Sequence, residues 1–402
     1  MKGFFTRKET ESLSSNSKVI HSCASCGLYK FCNSPKMKPT GNFAKGIMCI
    51  GEFPDYRDDE ENKHWQSLGG RLLQLYLDKA GIDLHEDCIS LNAVNCAPPD
   101  RPPTNMEIAH CRSVVVWKAV LKYQPKLILL FGSAAVESII GHRMKGGFNK
   151  YRGWVIPDQD LAAWVVPLMS PNYLVNQKKP DDLMNIWSTE LTHALSHLNK
   201  RVPKYPKPKI EIVDNLDFLN NHTDKLTAFD YETTGLKPHA KAQKIVCVSI
   251  SDCDNKSYVF FAPKNKRKWL PFRKWLNNRR SPKMAHNIKY EDAWSRVKLK
   301  VPVKNWAWDS MLAAHVIDNR TGITSLKFQN YVNFGITDYS EDIAPYLKTK
   351  DDSGNAINDI QKLVKTKTGR EQLAEYCGLD SVYEYRLAIK QMEALDWNFL
   401  PF

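Results

Sequence analysis

The sequence predicts a two-domain α/β protein, and three observations predict it. Before residue 200, short apolar runs alternate with helical patterns. After residue 210, three strand-like segments follow one another closely, with helices coming later. Between them, RVPKYPKPKI (201–210) carries three prolines and four basic residues. Proline removes backbone donors and favours extended conformations, so this segment reads as a semi-rigid linker. The expected division is therefore residues 1–200, a linker at 201–210, and residues 211–402.

In the first half, GIMCIG (46–51), CISLN (88–92), LILLFG (127–132) and AWVVPLM (163–169) read as buried strands. GGRLLQLYLDKAG and MEIAHCRSVVVWKAVLKY show helical periodicity. Strand–helix alternation predicts a mostly parallel sheet with helices on both faces. In the second half, LTAFDYE (226–232), KIVCVSIS (244–251) and KSYVFFA (256–262) predict an antiparallel meander.

The chain has 402 residues, 25% of them charged and 43% hydrophobic, so global disorder is excluded. No apolar run reaches the roughly 18 residues of a membrane span. The opening MKGFFTRKETESLSS lacks the apolar core of a secretory signal, so a soluble cytoplasmic protein is the expectation. Net charge is +13, from 57 basic and 44 acidic residues. Residues 1–200 hold 24 and 20 of these, which leaves 33 and 24 for the remainder. A polyanionic partner is expected, above all for the second half.

Seven of ten cysteines fall in the first 111 residues. Cys23 and Cys26 form C-x2-C, Cys96 and Cys111 form C-x14-C, and 69 residues separate the pairs. Four thiolates suit an iron–sulfur centre or a tetrahedral zinc. Cys32, Cys49 and Cys88 read as packing residues. Residues 20–175 resemble the iron–sulfur (family 4) uracil-DNA glycosylases. The likeness rests on that C-x2-C, GIMCIGEFPDYRDD, WQSLGGRLL, ISLNAVNCAPPDRPP and Cys111. It implies that Cys23, Cys26, Cys96 and Cys111 hold a 4Fe–4S cluster.

The same likeness implies a uracil pocket of Glu52, Asp55, Trp65, Asn92 and Met169, and this pocket is degenerate. The family reads Gly-Glu-small-Pro-Gly where this chain has Gly51-Glu52-Phe53-Pro54-Asp55. Bulky Phe53 and acidic Asp55 stand where the backbone approaches the flipped nucleotide. The family's late His-Pro-Ser becomes Met169-Ser170-Pro171. A thioether cannot donate a hydrogen bond to the leaving base. Asn92 can still read a uracil edge, and Trp65 stands where the family stacks a Phe.

In the second half, Asp230 and Glu232 sit two apart on an apolar strand and share a face. AHNIKYEDAW (285–294) groups Asn287, Lys289, Tyr290 and Glu291, and EYCGLDSVYEYRL places Tyr376 one helical turn before Asp380. Together these resemble the DEDDy 3′–5′ proofreading exonucleases of DNA polymerase I type, in the RNase H-like (DnaQ-like) superfamily, over about 225–390. The likeness implies that Asp230, Glu232, Glu291 and Asp380 supply the carboxylates and that Tyr376 orients the attacking water. The family has Asp at the position of Glu291, and Asp292 is the alternative. Asp309 reads as a helix cap. Two Mg²⁺ or Mn²⁺ ions suit these hard oxygens, with no soft ligand expected.

Residues 263–283 hold nine basic residues, no acidic ones, and Trp269 and Trp275. They read either as a single-strand DNA surface, where Lys268 and Arg273 join Asn287 and Lys289, or as an amphipathic helix with both tryptophans in the core. The expected function is proofreading of single-stranded or primer–template DNA beside a separately encoded polymerase, in a bacteriophage and hence in the host cytoplasm. A bifunctional uracil-removing nuclease and a non-catalytic docking protein are the alternatives. The apolar tail MEALDWNFLPF is the expected polymerase contact, with folding back on its own domain as the alternative.

Overall fold

A computed structural model describes residues 22–177, 181–349 and 355–397. The opening segment and Phe399, Leu400 and Phe402 of the tail lie outside the described residues. Among those described, no helix is long and apolar enough to cross a membrane. The chain divides into two compact units: Met1–Lys204 with Tyr331–Thr337, and Tyr205–Asn330 with Asp338–Phe402.

The first unit is built on β1 (Ile47–Gly51), β2 (Cys88–Asn92), β3 (Leu127–Phe131), β4 (Ile156–Asp158) and β5 (Ala163–Leu168), in the order β2-β1-β3-β5-β4. All pairs are parallel except the β4–β5 edge. Every residue of the five strands is buried, which is why they read as continuous apolar runs rather than alternating ones. The register sets Gly51 beside Asn92, so both reach the C-terminal edge of the sheet together. Helix Leu68–Lys79 is capped by Ser67. A Cβ at Gly69 would fall 2.1 Å from Asn172 Oδ1, and one at Gly70 2.1 Å from the Trp65 carbonyl oxygen. These two glycines let the helix seat against Asn172 on one side and the segment that carries Trp65 on the other.

The second unit has β6 (Lys209–Ile212), β7 (Thr227–Thr233), β8 (Ile245–Ser251), β9 (Lys256–Phe261), β10 (Lys283–Ala285) and β11 (Trp306–Asp309), ordered β11-β10-β7-β8-β9-β6. The meander β7–β8–β9 is antiparallel; β10 and β11 extend it in parallel beyond β7, and β6 pairs in parallel with β9. Strand β6 begins inside the proline-rich segment, because KIEI can pair along β9 once the last proline is passed. Helix Lys367–Ala394 lies against the sheet. A Cβ at Gly378 would stand 2.7 Å from Ile210 and 3.2 Å from Val259, so only glycine permits this approach. That contact places Tyr376 and Asp380 over the meander.

Trp269 and Trp275 are buried among Phe229, Phe260 and Phe272. They are core residues, which removes them from any base-stacking role. Lys268 and Arg273 remain exposed beside them. Of the tail, Met392 is buried, while Trp397 is half exposed and packs edge-on against Trp308 at 5.7 Å.

Candidate functional sites

Asp230 and Glu232 project from one face of β7, and helix Lys367–Ala394 brings Asp380 beside them. Helix Ile288–Trp294 contributes Glu291, which is 2% exposed. Burial, followed by mutual repulsion, pushes Asp230, Glu232 and Glu291 well above the usual carboxylate range. Burial lifts Asp380 to about 6. Oε2 of Glu291 is buried without a hydrogen-bond partner. Asp292 is engaged elsewhere, with Arg296 and with the Val303 amide at 3.1 Å. Glu291 is thus the one of the pair that faces Asp230.

A cluster of buried carboxylates with unused oxygens is stable only if protonated or neutralised by a cation. The residues present therefore fit a divalent metal. Tyr376 contacts Asp380 across one helical turn, and burial raises its hydroxyl above the usual range.

The structure adds groups that the sequence did not single out. Tyr339 donates its hydroxyl to Asp380. Lys327, whose ammonium lies 5.2 Å from the Tyr376 ring centroid, opposes the upward shift of Asp380 and Glu232. Glu384, four residues past Asp380, is buried and is pushed up to about 8 by desolvation. It accepts from Ser310, which in turn meets His286 Nδ1 at 2.8 Å. Its spacing on the helix was the available signal; Tyr339 and Lys327 carried none.

A soft donor, Cys377, lies beside the hard ones. Its Sγ lies within 4.8 Å of carboxylate oxygens of both Asp230 and Glu232. The residue follows Tyr376 on the helix and so points back to the strand that carries the carboxylates.

Asp309 is a helix cap, as expected, and caps twice. It accepts from Met311 and Leu312 at the start of its own helix, and from Asn287 (3.1 Å) and Ile288 (3.0 Å) at the start of the helix carrying Glu291. Asn287 has φ +80°, the left-handed turn into that helix, and Lys289 is exposed on its first turn.

In the first unit, Cys23, Cys26, Cys96 and Cys111 line one cavity together with Tyr29 and Lys36. All four are free thiols. Among the described residues, the candidate ligand atoms that converge within 4.8 Å are those of Asp230, Glu232 and Cys377. A cavity lined by four thiols fits either group that the sequence allows, a tetrahedral zinc or an iron–sulfur cluster. Cys96 accepts from the Lys36 amide at 3.2 Å, and Cys111 from the Asn95 amide at 3.3 Å. Such donors suit cluster-bound thiolates. Burial pushes Cys96 up to about 12 and Cys111 to about 11, so without a metal they stay protonated. Cys49 and Cys88 are fully buried packing residues, while half-buried Cys32 contacts Cys96.

The pocket residues gather at the C-terminal edge of the first sheet. Gly51 and Asn92 end β1 and β2, and a Cβ at Gly51 would lie 2.3 Å from Asn92 Oδ1 and 3.1 Å from the Trp65 ring. Glu52 accepts from Ser133 (3.0 Å) and from the Ala134 amide (3.3 Å). Asp55 does not project freely toward a phosphate: its carboxylate caps helix Tyr56–Glu61, accepting from Arg57 and Asp58. The helix end absorbs that charge. Met169 is buried in the core, with Arg152 Nη1 4.0 Å from its sulfur. His64, not singled out by the sequence, is 1% exposed and meets Asn92 Nδ2 at 3.2 Å through Nδ1. Burial lowers it to about 4, so the ring is neutral and accepts the Asn92 proton.

Residues 39–191 match the family model described as the uracil DNA glycosylase superfamily, and residues 205–395 match that of a 3′–5′ exonuclease. The type-4 uracil-DNA glycosylase of Thermotoga maritima is 27% identical over 197 residues, covering 49% of this chain and 98% of that protein. That of Saccharolobus solfataricus is 31% identical over 114 residues, or 28% of this chain and 52% of its own length. A DNA polymerase of Bacillus phage SP01 is 23% identical over 325 residues; this covers 72% of this chain and only 34% of the polymerase. The first half of the chain is therefore similar to the uracil DNA glycosylase superfamily and the second half to 3′–5′ exonucleases, in a combination similar to part of a phage DNA polymerase.

Proposed function

We propose that this chain is a 3′–5′ DNA exonuclease of the DEDDy type, and that it proofreads for a separately encoded phage polymerase. The observation that carries the reading is the convergence of Asp230, Glu232, Glu291 and Asp380, the first half-buried and the others buried, and all short of neutralising partners. These residues would hold two Mg²⁺ or Mn²⁺ ions. Bound there, the ions would supply charge neutralisation for phosphodiester hydrolysis. Tyr376 positions the attacking water, directly or through Asp380, and Tyr339 holds the Asp380 carboxylate in place. Exposed Lys268, Arg273 and Lys289 attract the DNA backbone.

The glycosylase-like domain serves as a DNA-binding or docking scaffold around a 4Fe–4S cluster on Cys23, Cys26, Cys96 and Cys111. Met169 disfavours uracil excision, because no imidazole donor stands at the leaving base. One experiment tests both parts. A 5′-labelled strand, with or without one uracil, is incubated with the protein and Mg²⁺. A ladder of shortened labelled products, lost in Asp230→Ala, is expected, with no uracil-dependent alkali-labile break. Equal degradation by Asp230→Ala places the active site elsewhere.

A further inference from the structure

The carboxylate centre holds a donor that oxygen-based metal chemistry leaves unused. Cys377 is fully buried, and its Sγ and one oxygen each of Asp230 and Glu232 lie within 4.8 Å of one another. The sulfur also lies 4.0 Å from the Asp230 carbonyl oxygen. Ser249 donates to the Cys377 carbonyl at 2.6 Å, which fixes the helix turn that aims the thiol. A second observation is independent of the thiol: Glu291 Oε2, on a side chain 2% exposed, has no hydrogen-bond partner and faces Asp230. Negative charge at the cluster thus outweighs that of Lys327 beside it, and the cluster offers sulfur as well as oxygen.

We infer that this centre takes a thiophilic divalent cation, of the zinc and cadmium class, with Cys377 Sγ, Asp230 and Glu232 as ligands. Magnesium selects hard oxygens, whereas zinc accepts thiolate at about 2.3 Å and carboxylate at about 2.0–2.2 Å. Modest side-chain rotations bring three atoms within 4.8 Å onto one such ion. As the sulfur–metal bond forms, the S–H bond breaks and its proton leaves to solvent; no oxidation state changes. Because this mode shares Asp230 and Glu232 with the hard cations, the two exclude each other. The inference rests on the exonuclease reading and adds a ligand to it.

The test titrates the full, cluster-loaded chain with CdCl₂ and follows the ultraviolet thiolate-to-cadmium charge-transfer band. Wild type should show one binding event that Cys377→Ser weakens at least tenfold. Asp230→Ala should lose the same event while keeping every thiol, which separates it from the cysteine cavity. Equal titrations for wild type and Cys377→Ser overturn the inference. If that variant misfolds, anomalous scattering from cadmium in wild-type crystals decides: cadmium against Cys377 Sγ supports the assignment, and cadmium on carboxylates alone refutes it. The same wild-type preparation is assayed with Mg²⁺ alone on a 5′-labelled strand. Absence of hydrolysis defeats the exonuclease reading and leaves the cadmium result to stand; hydrolysis with a negative cadmium result defeats only the sulfur ligand.

Discussion

Asn95 holds Asn92 by both of its peptide groups: Asn95 Oδ1 accepts from the Asn92 amide at 3.0 Å, and Asn95 Nδ2 donates to the Asn92 carbonyl oxygen at 2.7 Å. The Asn95 amide also donates to Cys111 Sγ. One fully buried residue therefore ties the end of β2, where Asn92 enters the degenerate pocket, to the cysteine cavity.

Asn95→Ala leaves two buried peptide groups of Asn92 unsatisfied, each at a cost of about 1–3 kcal/mol. The glycosylase-like domain should melt several degrees lower, and the visible absorption of the proposed cluster should fade faster in air. Unchanged melting would show that other groups satisfy Asn92.

Stability without metal should fall as pH rises. Asp380 and Glu384 titrate near 6 and 8 in the fold, above their ordinary values of 3.8 and 4.5. The folded state therefore keeps protons that the unfolded chain has released. Their stabilisation is full below about pH 4 and is lost as pH climbs through 6 and then 8. Melting temperatures in chelator should drop between pH 5 and pH 8. Mg²⁺, which takes the place of the protons, should raise them more at pH 8 than at pH 5. A flat profile in chelator contradicts the buried carboxylate cluster.

Tyr339→Phe removes a hydrogen bond that lowers the Asp380 titration. The acid limb of nuclease activity should move to higher pH, so the variant loses more rate at pH 6 than at pH 8. A uniform loss at all pH values would mean that Tyr339 acts through packing alone.

Uracil release by the wild-type chain should fall about 10²–10³ below that of an enzyme with the imidazole donor in place. Quantifying alkali-labile sites in uracil-containing DNA checks this. Release at ordinary glycosylase rates would show that another group, such as Arg152 beside Met169, has taken over the role.

The central strands β1, β2, β3, β5, β7, β8 and β9 were legible because burial leaves unbroken apolar runs, whereas three-residue β4 and β10 and the partly exposed edges β6 and β11 were not. The grouping of Asp230, Glu232 and Asp380 was legible because i, i+2 spacing shares one strand face and Tyr376 and Asp380 share one helix face. Tyr339 and Lys327 were not, since they come from loop and helix segments with no periodic relation to Asp380. That Asp55 caps the helix after it was not singled out, because composition alone does not reveal which carboxylates meet backbone amides. The two tryptophans of the basic tract were ambiguous by sequence, and only packing on Phe229 and Phe272 decides for the core.

The double cap at Asp309 has a consequence for genetics. Asp309 splints together the first turns of two helices, one of which carries Glu291. In a mutational screen scored by lost nuclease activity, Asp309 should rank with Asp230 and Glu232, although its carboxylate serves backbone amides. Its phenotype should ease on cooling, as broken splints do, while that of Asp230 should persist at every temperature. Counting acidic residues by phenotype alone would thus overstate the size of the catalytic set by one.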